Sequence, residues 1–248
     1  MVQDADVKLG KVIWVAGHSG PETAEDSRTH FGIYAPAVTQ LFPKGKVINL
    51  YPWEHNEVAP MMTAALALDV PVIALHLTRP NVVIPDREKL GMASHMDAAK
   101  GAYIIRDYKS DMPKMGTIFV QGTATTSNIC KLLPELDKRG LNVKLVAASS
   151  PQLFDIQPDP YKQKIVSDID WLNSTFITNG SAISMQDWTG NRLSIEYAMT
   201  ADWDQNWRSG GSLDEVIEEA HLSERWLLEG IERFANDSES RLKRLGMR

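Results

Sequence analysis

The sequence predicts an α/β protein made of two three-layer α/β units, each with a mainly parallel sheet between layers of helices. Short β-branched runs alternate with helix-like segments, and this alternation occurs twice along the chain, on either side of an irregular stretch. Strands that alternate with helices are joined by crossover connections, which make the strands parallel. We place the first unit, with its linker, at residues 1–97 and the second at 98–248.

The first unit is predicted to contain three strands and two helices. An apolar, β-branched run at residues 11–16 is typical of a buried strand. The other elements are a helix over 33–42, a strand over 46–50, a helix over 54–68 whose start Pro60 delays or kinks, and a strand over 70–77. On this last strand His76 is predicted to be a core or interface residue. Residues 80–97 are polar and contain two prolines, so they are predicted to be a linker.

The second unit repeats the pattern and ends in helices. Its predicted elements are an apolar segment at 101–108, a strand at 116–122, a helix at 125–138 ended by Gly140, a strand at 141–147, helices at 158–166 and 168–172, and a strand at 175–178. Two helices are predicted to close the chain. Residues 212–215 have the capping-box pattern of the first, and Ser223 is placed to cap the second.

Composition excludes several classes of partner. The 248 residues are 43% hydrophobic and 23% charged, which is typical of a globular protein. The net charge is −6 and basic residues do not cluster, so nucleic acid is not an expected partner. No apolar stretch approaches the roughly 20 residues that cross a bilayer, and residues 1–10 lack a signal-peptide core. We therefore expect a cytoplasmic protein without a membrane partner. The single cysteine, Cys130, excludes an internal disulfide and is predicted to be buried.

The segment after the first predicted strand gathers most of the chemistry-bearing side chains. Residues 17–32, GHSGPETAEDSRTHFG, form what we call the opening loop, and its candidates for ligand contact are His18, Glu25, Asp26, Arg28 and His30. Parallel sheets bind ligands beyond the carboxyl ends of their strands. Arg79 follows the third strand, so we expect it to face the same crevice. From composition alone, a solvated loop whose Gly, Ser and Pro serve turns remains the alternative.

Three segments resemble the C-terminal portion of transketolases. Against the family pattern THDSxGxGEDGPTHQP, His18 and His30 keep the separation of the two histidines, and Glu25, Asp26 and Thr29 match further positions. Residues 77–81, LTRPN, are similar to the family's LSRQN, and residues 101–103, GAY, are similar to its GGYV. The resemblance covers nearly the whole chain, most strongly up to residue 105.

The resemblance implies both a fold and an activity. The first unit would be an incomplete pyrimidine-binding domain of a thiamine-diphosphate enzyme, and the second would be the transketolase C-terminal domain. The implied reaction moves a two-carbon ketol unit between sugar phosphates. Thiamine diphosphate and a divalent metal, Mg or Ca, would be held mainly by an N-terminal half or subunit that this chain lacks, so no residue here is predicted to bind metal. A homo-oligomer is also expected, since an incomplete sheet leaves a strand edge open.

The resemblance also assigns roles to individual residues. His30 would handle protons at the first hydroxyls of the donor sugar, and Asp26 would accept a hydrogen bond from a hydroxyl. His18, Ser19 and Arg79 would bind the substrate phosphate, and Glu25 would contact the cofactor. Taken singly, His18 would more simply orient the loop, and Arg79 would more simply pair with a carboxylate such as Asp86.

Departures from the family pattern leave the reaction open. Ser19-Gly20, Ser27-Arg28 and Phe31 replace the family's DS, GP and Gln, which puts the sugar preference in doubt. One alternative is a β-type subunit of a 2-oxo-acid dehydrogenase or a deoxyxylulose-phosphate synthase-like enzyme. Another is a non-catalytic assembly module that keeps the fold.

Overall fold

The computed structural model describes residues 10–23 and 32–247, and within these ranges it contains two sheets. The first has three parallel strands, β1 (Val12–Ala16), β2 (Val47–Leu50) and β3 (Val72–His76), in the order β1-β3-β2. Their number, type and order along the chain are as predicted. The mainly parallel α/β class is confirmed.

Short helices connect the strands of the first sheet. Helix α1 (Ala35–Val38) and a 3-10 turn (Thr39–Leu41) lie between β1 and β2, and a 3-10 turn (His55–Glu57) and α2 (Val58–Leu66) lie between β2 and β3. The start of α2 is delayed, as predicted. Pro60 falls in its first turn, where a backbone N–H needs no partner within the helix.

The prediction that the first strand is buried is wrong. The side chains of β1 are exposed, with 53% of Val12, 48% of Ile13, 39% of Trp14 and 54% of Val15 accessible. The run has the composition of a buried strand, but within the described chain β1 has β3 as its one neighbour strand. Burial of such a run depends on a second neighbour and on helices over both faces, which composition cannot reveal.

The second sheet has five strands in the order β4-β6-β5-β7-β8. They are β4 (Ala102–Arg106), β5 (Thr117–Gln121), β6 (Lys144–Ala148), β7 (Ser174–Thr178) and β8 (Met199–Thr200). Strand β4 is antiparallel to β6, and the other pairings are parallel. The helices of this unit are α3 (Thr123–Lys138), α4 (Pro151–Asp155), α5 (Asp159–Ile165), α6 (Asp168–Leu172), α7 (Arg192–Glu196), α8 (Leu213–Glu219), α9 (Glu224–Asn236) and α10 (Ser238–Arg244).

The helix ends of the second unit confirm two predictions and correct a third. The capping box at Ser212 is present, and Gly140 ends α3 in the left-handed conformation. Ser223, however, makes no capping bond, because its hydroxyl donates to the carboxylate of Glu218 at 2.5 Å. Helix α10 is a third closing helix, and α4, α7 and β8 were also not predicted. At two to seven residues, these elements are too short for a clear periodic pattern.

The two units share one apolar core. A single cluster of buried side chains runs from Ile48 and Ile73 in the first sheet to Ile118 and Leu145 in the second. Cys130 belongs to this cluster, so the prediction that it is buried is confirmed. Burial raises the pKa of its thiol to about 12. No helix in the described ranges combines the length and apolarity needed to cross a bilayer.

Candidate functional site

The candidate site begins where β1 and β3 end side by side. Ala16 pairs with His76 at the carboxyl ends of these strands, and two backbone bonds continue the pairing beyond them. The N–H of Leu77 donates to the carbonyl of Ala16 at 2.8 Å, and the N–H of Ser19 donates to the carbonyl of Leu77 at 3.0 Å. The segments that follow the two strands are therefore held next to each other.

This pairing brings together two of the predicted site residues, His18 and Arg79. Nη2 of Arg79 lies 2.6 Å from Nε2 of His18, and both side chains are exposed. A guanidinium can only donate, so this histidine nitrogen is the acceptor of the bond. A guanidinium and an imidazole at the open edge of a sheet form a suitable binding point for a phosphate or carboxylate.

Ser19, the third predicted phosphate ligand, is buried beneath this pair. Its hydroxyl donates to the carbonyl of Ala16 at 3.1 Å and lies 3.3 Å from Nδ1 of His76. His76 is itself 3% exposed and stacks on Tyr51, with ring centroids 4.6 Å apart. Burial lowers the pKa of His76 to about 4, so the ring is neutral at physiological pH. The prediction that His76 is a core residue is confirmed.

A further carboxylate of the opening loop, Glu22, is not among the predicted site residues. It is 1% exposed and is held by residues of the second unit. Nδ2 of Asn179 donates to both carboxylate oxygens at 3.0 Å, and the N–H of Ala124, in the first turn of α3, donates to one of them at 3.2 Å. Burial raises the pKa of Glu22 to about 7, against the opposing effect of these hydrogen bonds. Glu22 therefore joins the opening loop to the second unit.

The remaining candidates lie outside the described residues. These are Glu25, Asp26, Arg28 and His30, within 24–31. Among the residues that the structure does describe, no group of three or more His, Cys, Asp or Glu side chains could hold a metal ion. The described part of the chain thus has no donor set that fits a divalent metal.

The sequence is similar to that of transketolases. It is 30% identical to the transketolase of Aquifex aeolicus over 162 residues, which are 63% of this chain and 22% of the relative. The chain therefore spans about a fifth of the length of that relative. No family model matches the chain.

The fold is also that of transketolases. A transketolase variant from Pichia stipitis superposes with a TM-score of 0.71 at 18% identity, over 92% of this chain and 30% of that one. A structure described as a split-gene transketolase, an inactive β4 tetramer, superposes with a TM-score of 0.59 at 14% identity, over 91% of this chain and 67% of that one. Sequence and fold agree that this chain is similar to part of a transketolase.

Proposed function

We propose that this chain is the C-terminal portion of a thiamine-diphosphate-dependent transketolase, as a separate subunit or as part of a longer chain. It would bind a sugar phosphate, while an N-terminal part supplies the sites for the cofactor and for a divalent metal. The observation that carries the proposal is the contact between His18 and Arg79 at the carboxyl edge of the first sheet. The sequence similarity to transketolases gives this contact its chemical context.

Each candidate residue has a role in this proposal. Arg79 and His18 bind the phosphate, since a guanidinium presents two parallel N–H groups to phosphate oxygens. Ser19, whose hydroxyl is turned inward, supports the backbone beside them. Asp26 would accept a hydrogen bond from a sugar hydroxyl, His30 would transfer protons at the donor hydroxyls, and Glu25 would contact the cofactor.

The exposed strand β1 supports the need for a second polypeptide part. A strand that is apolar on both faces and paired on one edge is suited to accept another strand. We propose that the N-terminal part completes this sheet, and that the assembled enzyme is an oligomer. The similarity to a split-gene transketolase described as an inactive tetramer supports a chain that is inactive alone.

The experiment compares the chain with the assembled enzyme. Calorimetry on the purified chain is expected to show no tight binding of thiamine diphosphate with Mg²⁺. Together with the N-terminal part, the chain should transfer a two-carbon unit from xylulose 5-phosphate to ribose 5-phosphate and should not use pyruvate. Tight cofactor binding by the chain alone would contradict the need for a second part, and a preference for pyruvate would contradict the transketolase reaction.

A further inference from the structure

One turn of the second unit holds the opening loop. It comprises residues 179–181, directly after β7, and we call it the β7 turn. Asn179 is 6% exposed and Ser181 is fully buried. The turn contacts described residues near the start of the opening loop, and it also contacts Ile33, which directly follows that loop. The same three residues therefore fix both ends of the opening loop.

The first contact fixes the start of the loop. Nδ2 of Asn179 donates to the carbonyl oxygen of Ser19 at 3.1 Å, as well as to the carboxylate of Glu22. Ser19 is the neighbour of His18, so this amide acts one residue away from the proposed phosphate ligand. A single side chain thus bridges the residue beside His18 and the buried carboxylate that follows it.

The second contact fixes the segment that returns from the loop. The N–H of Ser181 donates to the carbonyl of Ile33 at 2.7 Å. Gly32, the residue before Ile33, lies so close to His18 that a Cβ added to Gly32 would stand 2.1 Å from the carbonyl oxygen of His18. Only a residue without a side chain permits this approach. The returning segment therefore packs against the backbone of His18.

We propose that Asn179 is a positioning residue for the His18–Arg79 pair, so that the second unit determines where the phosphate is bound. This inference rests on the proposed function, which supplies the phosphate-binding role of the pair. The first sheet places His18 near Arg79, but glycines at positions 17 and 20 give the loop backbone many alternative conformations. The bonds from Asn179 select one of these, because they fix the Ser19 carbonyl and the Glu22 carboxylate at the same time.

Amide hydrogen exchange in the full chain tests the positioning without any substrate. Asn179→Ala should speed exchange in the peptides that cover residues 17–23 and 32–34 by about tenfold, which corresponds to the loss of about one net hydrogen bond. The amides of β5 and β6 should keep their protection. Asn128→Ala is the matched control, because its side-chain amide also donates to a backbone carbonyl, but to one within the second unit, that of Leu222 at 3.0 Å.

A charge exchange provides a rescue that a general loss of stability would not show. Asn179→Asp places a second carboxylate against Glu22 and should loosen the loop more than Asn179→Ala does. Adding Glu22→Gln restores a donor and acceptor pair between the two side chains, so protection of residues 20–23 should return. Because Glu22→Gln changes only the loop side of the contact, it also remains informative if Asn179 variants fold poorly.

The assembled enzyme links the positioning to phosphate binding. Asn179→Ala should raise KM for a phosphorylated sugar about tenfold with little change in kcat, because a displaced His18 weakens binding more than chemistry. Unchanged exchange in the loop would overturn the inference and leave the proposed function intact. Faster exchange with unchanged KM would also overturn it. If Arg79→Ala leaves KM unchanged as well, it is the proposed function of the pair that fails.

Discussion

Arg79 and His18 share a hydrogen bond although both are exposed, and this pairing predicts how substitutions of Arg79 act. Arg79→Ala should raise KM for a sugar phosphate about 10- to 100-fold, since a hydrogen bond to a charged group contributes about 1.5–3 kcal/mol. Arg79→Lys keeps the charge but loses the planar pair of donors, so its KM should be intermediate. Steady-state kinetics of the assembled enzyme measure both.

The control for this series is Arg225→Ala. Arg225, at the start of α9, is another exposed arginine; it pairs with Glu218 of α8 and is distant in sequence from the opening loop. Its loss should leave KM unchanged. An Arg79→Ala enzyme with the KM of the unsubstituted protein would show that this guanidinium does not bind the phosphate.

Glu22 predicts a pH dependence of stability. Its pKa is about 7 in the folded chain and about 4.5 when unfolded, so between these values the folded state binds more protons. Stability should therefore fall as the pH rises from about 4.5 to about 7 and should not depend on this group above that range. Across this pH range, the titration of Glu22 should lower the free energy of unfolding by about 3 kcal/mol in total. Glu22→Gln cannot titrate, so it should remove this part of the pH dependence.

Urea unfolding at several pH values between about 4.5 and 8 measures this effect. Glu232→Gln is a suitable control, since Glu232 is exposed on α9, where it pairs with Arg139. This variant should keep the slope of the unsubstituted chain. If Glu22→Gln also keeps that slope, the carboxyl is ionised throughout the range and its burial is less complete than the structure indicates.

At the scale of elements, the linker between the units is fixed by one buried ion cluster. Arg87 in the linker contacts the carboxylates of Glu54 at 2.5 Å and Glu57 at 2.7 Å. The hydroxyl of Tyr103, on β4, donates to Glu57 at 2.5 Å. The guanidinium also lies 5.2 Å from the centre of the Tyr103 ring. This cluster joins the first unit, the linker and the second sheet.

The cluster predicts a large effect of Arg87→Met. Removing the guanidinium leaves two buried carboxylates without a counter-charge, and breaking a buried ion pair in this way costs about 3–5 kcal/mol. Adding Glu57→Gln should recover part of the loss, because it removes one of the uncompensated charges. Urea denaturation of the single and double variants measures the loss of stability and its recovery. Equal stability of the two variants would contradict uncompensated charge as the cause of the loss.

The elements that the sequence predicts correctly are those whose sequence pattern lies within the element itself. Strands β2, β3, β5 and β6 consist of short β-branched or apolar runs, and Gly140 ends α3 through its own backbone conformation. Helix α4, which was not predicted, also has a local signal, since Ser150 caps it and Pro151 occupies its first position. Ser223 shows the limit, because its hydroxyl has a competing partner five residues away.

At the scale of the whole molecule, the site was predictable only where topology determines it. His18 and Arg79 follow parallel strands that turned out to be neighbours, so the sequence was sufficient to expect them at one edge. Glu22 is different, because its partner Asn179 is 157 positions away and neither residue has a local pattern that indicates the contact. Contacts between units of this kind depend on how two sheets are packed, which periodicity does not encode.

The exposed strand β1 predicts association of the chain. Ile13 and Val15 are two residues apart on one face of the strand and about half exposed, so an apolar partner surface would be expected to cover them. In the absence of the N-terminal part, the chain should form oligomers at micromolar concentration. The double substitution Ile13→Lys and Val15→Lys should shift it to a monomer without lowering its melting temperature, because two charges on an edge strand oppose pairing.

Light scattering and thermal unfolding of the unsubstituted chain and of the double variant test this expectation. Ile169→Lys is the control, because it adds a charge at an exposed apolar position on α6. The control should remain oligomeric, and the β1 variant should also fail to combine with the N-terminal part. A monomeric unsubstituted chain would mean that the apolar side chains of β1 tolerate water. Association would then have to depend on surfaces other than this strand, and the proposed completion of the first sheet by a second polypeptide part would lose its structural support.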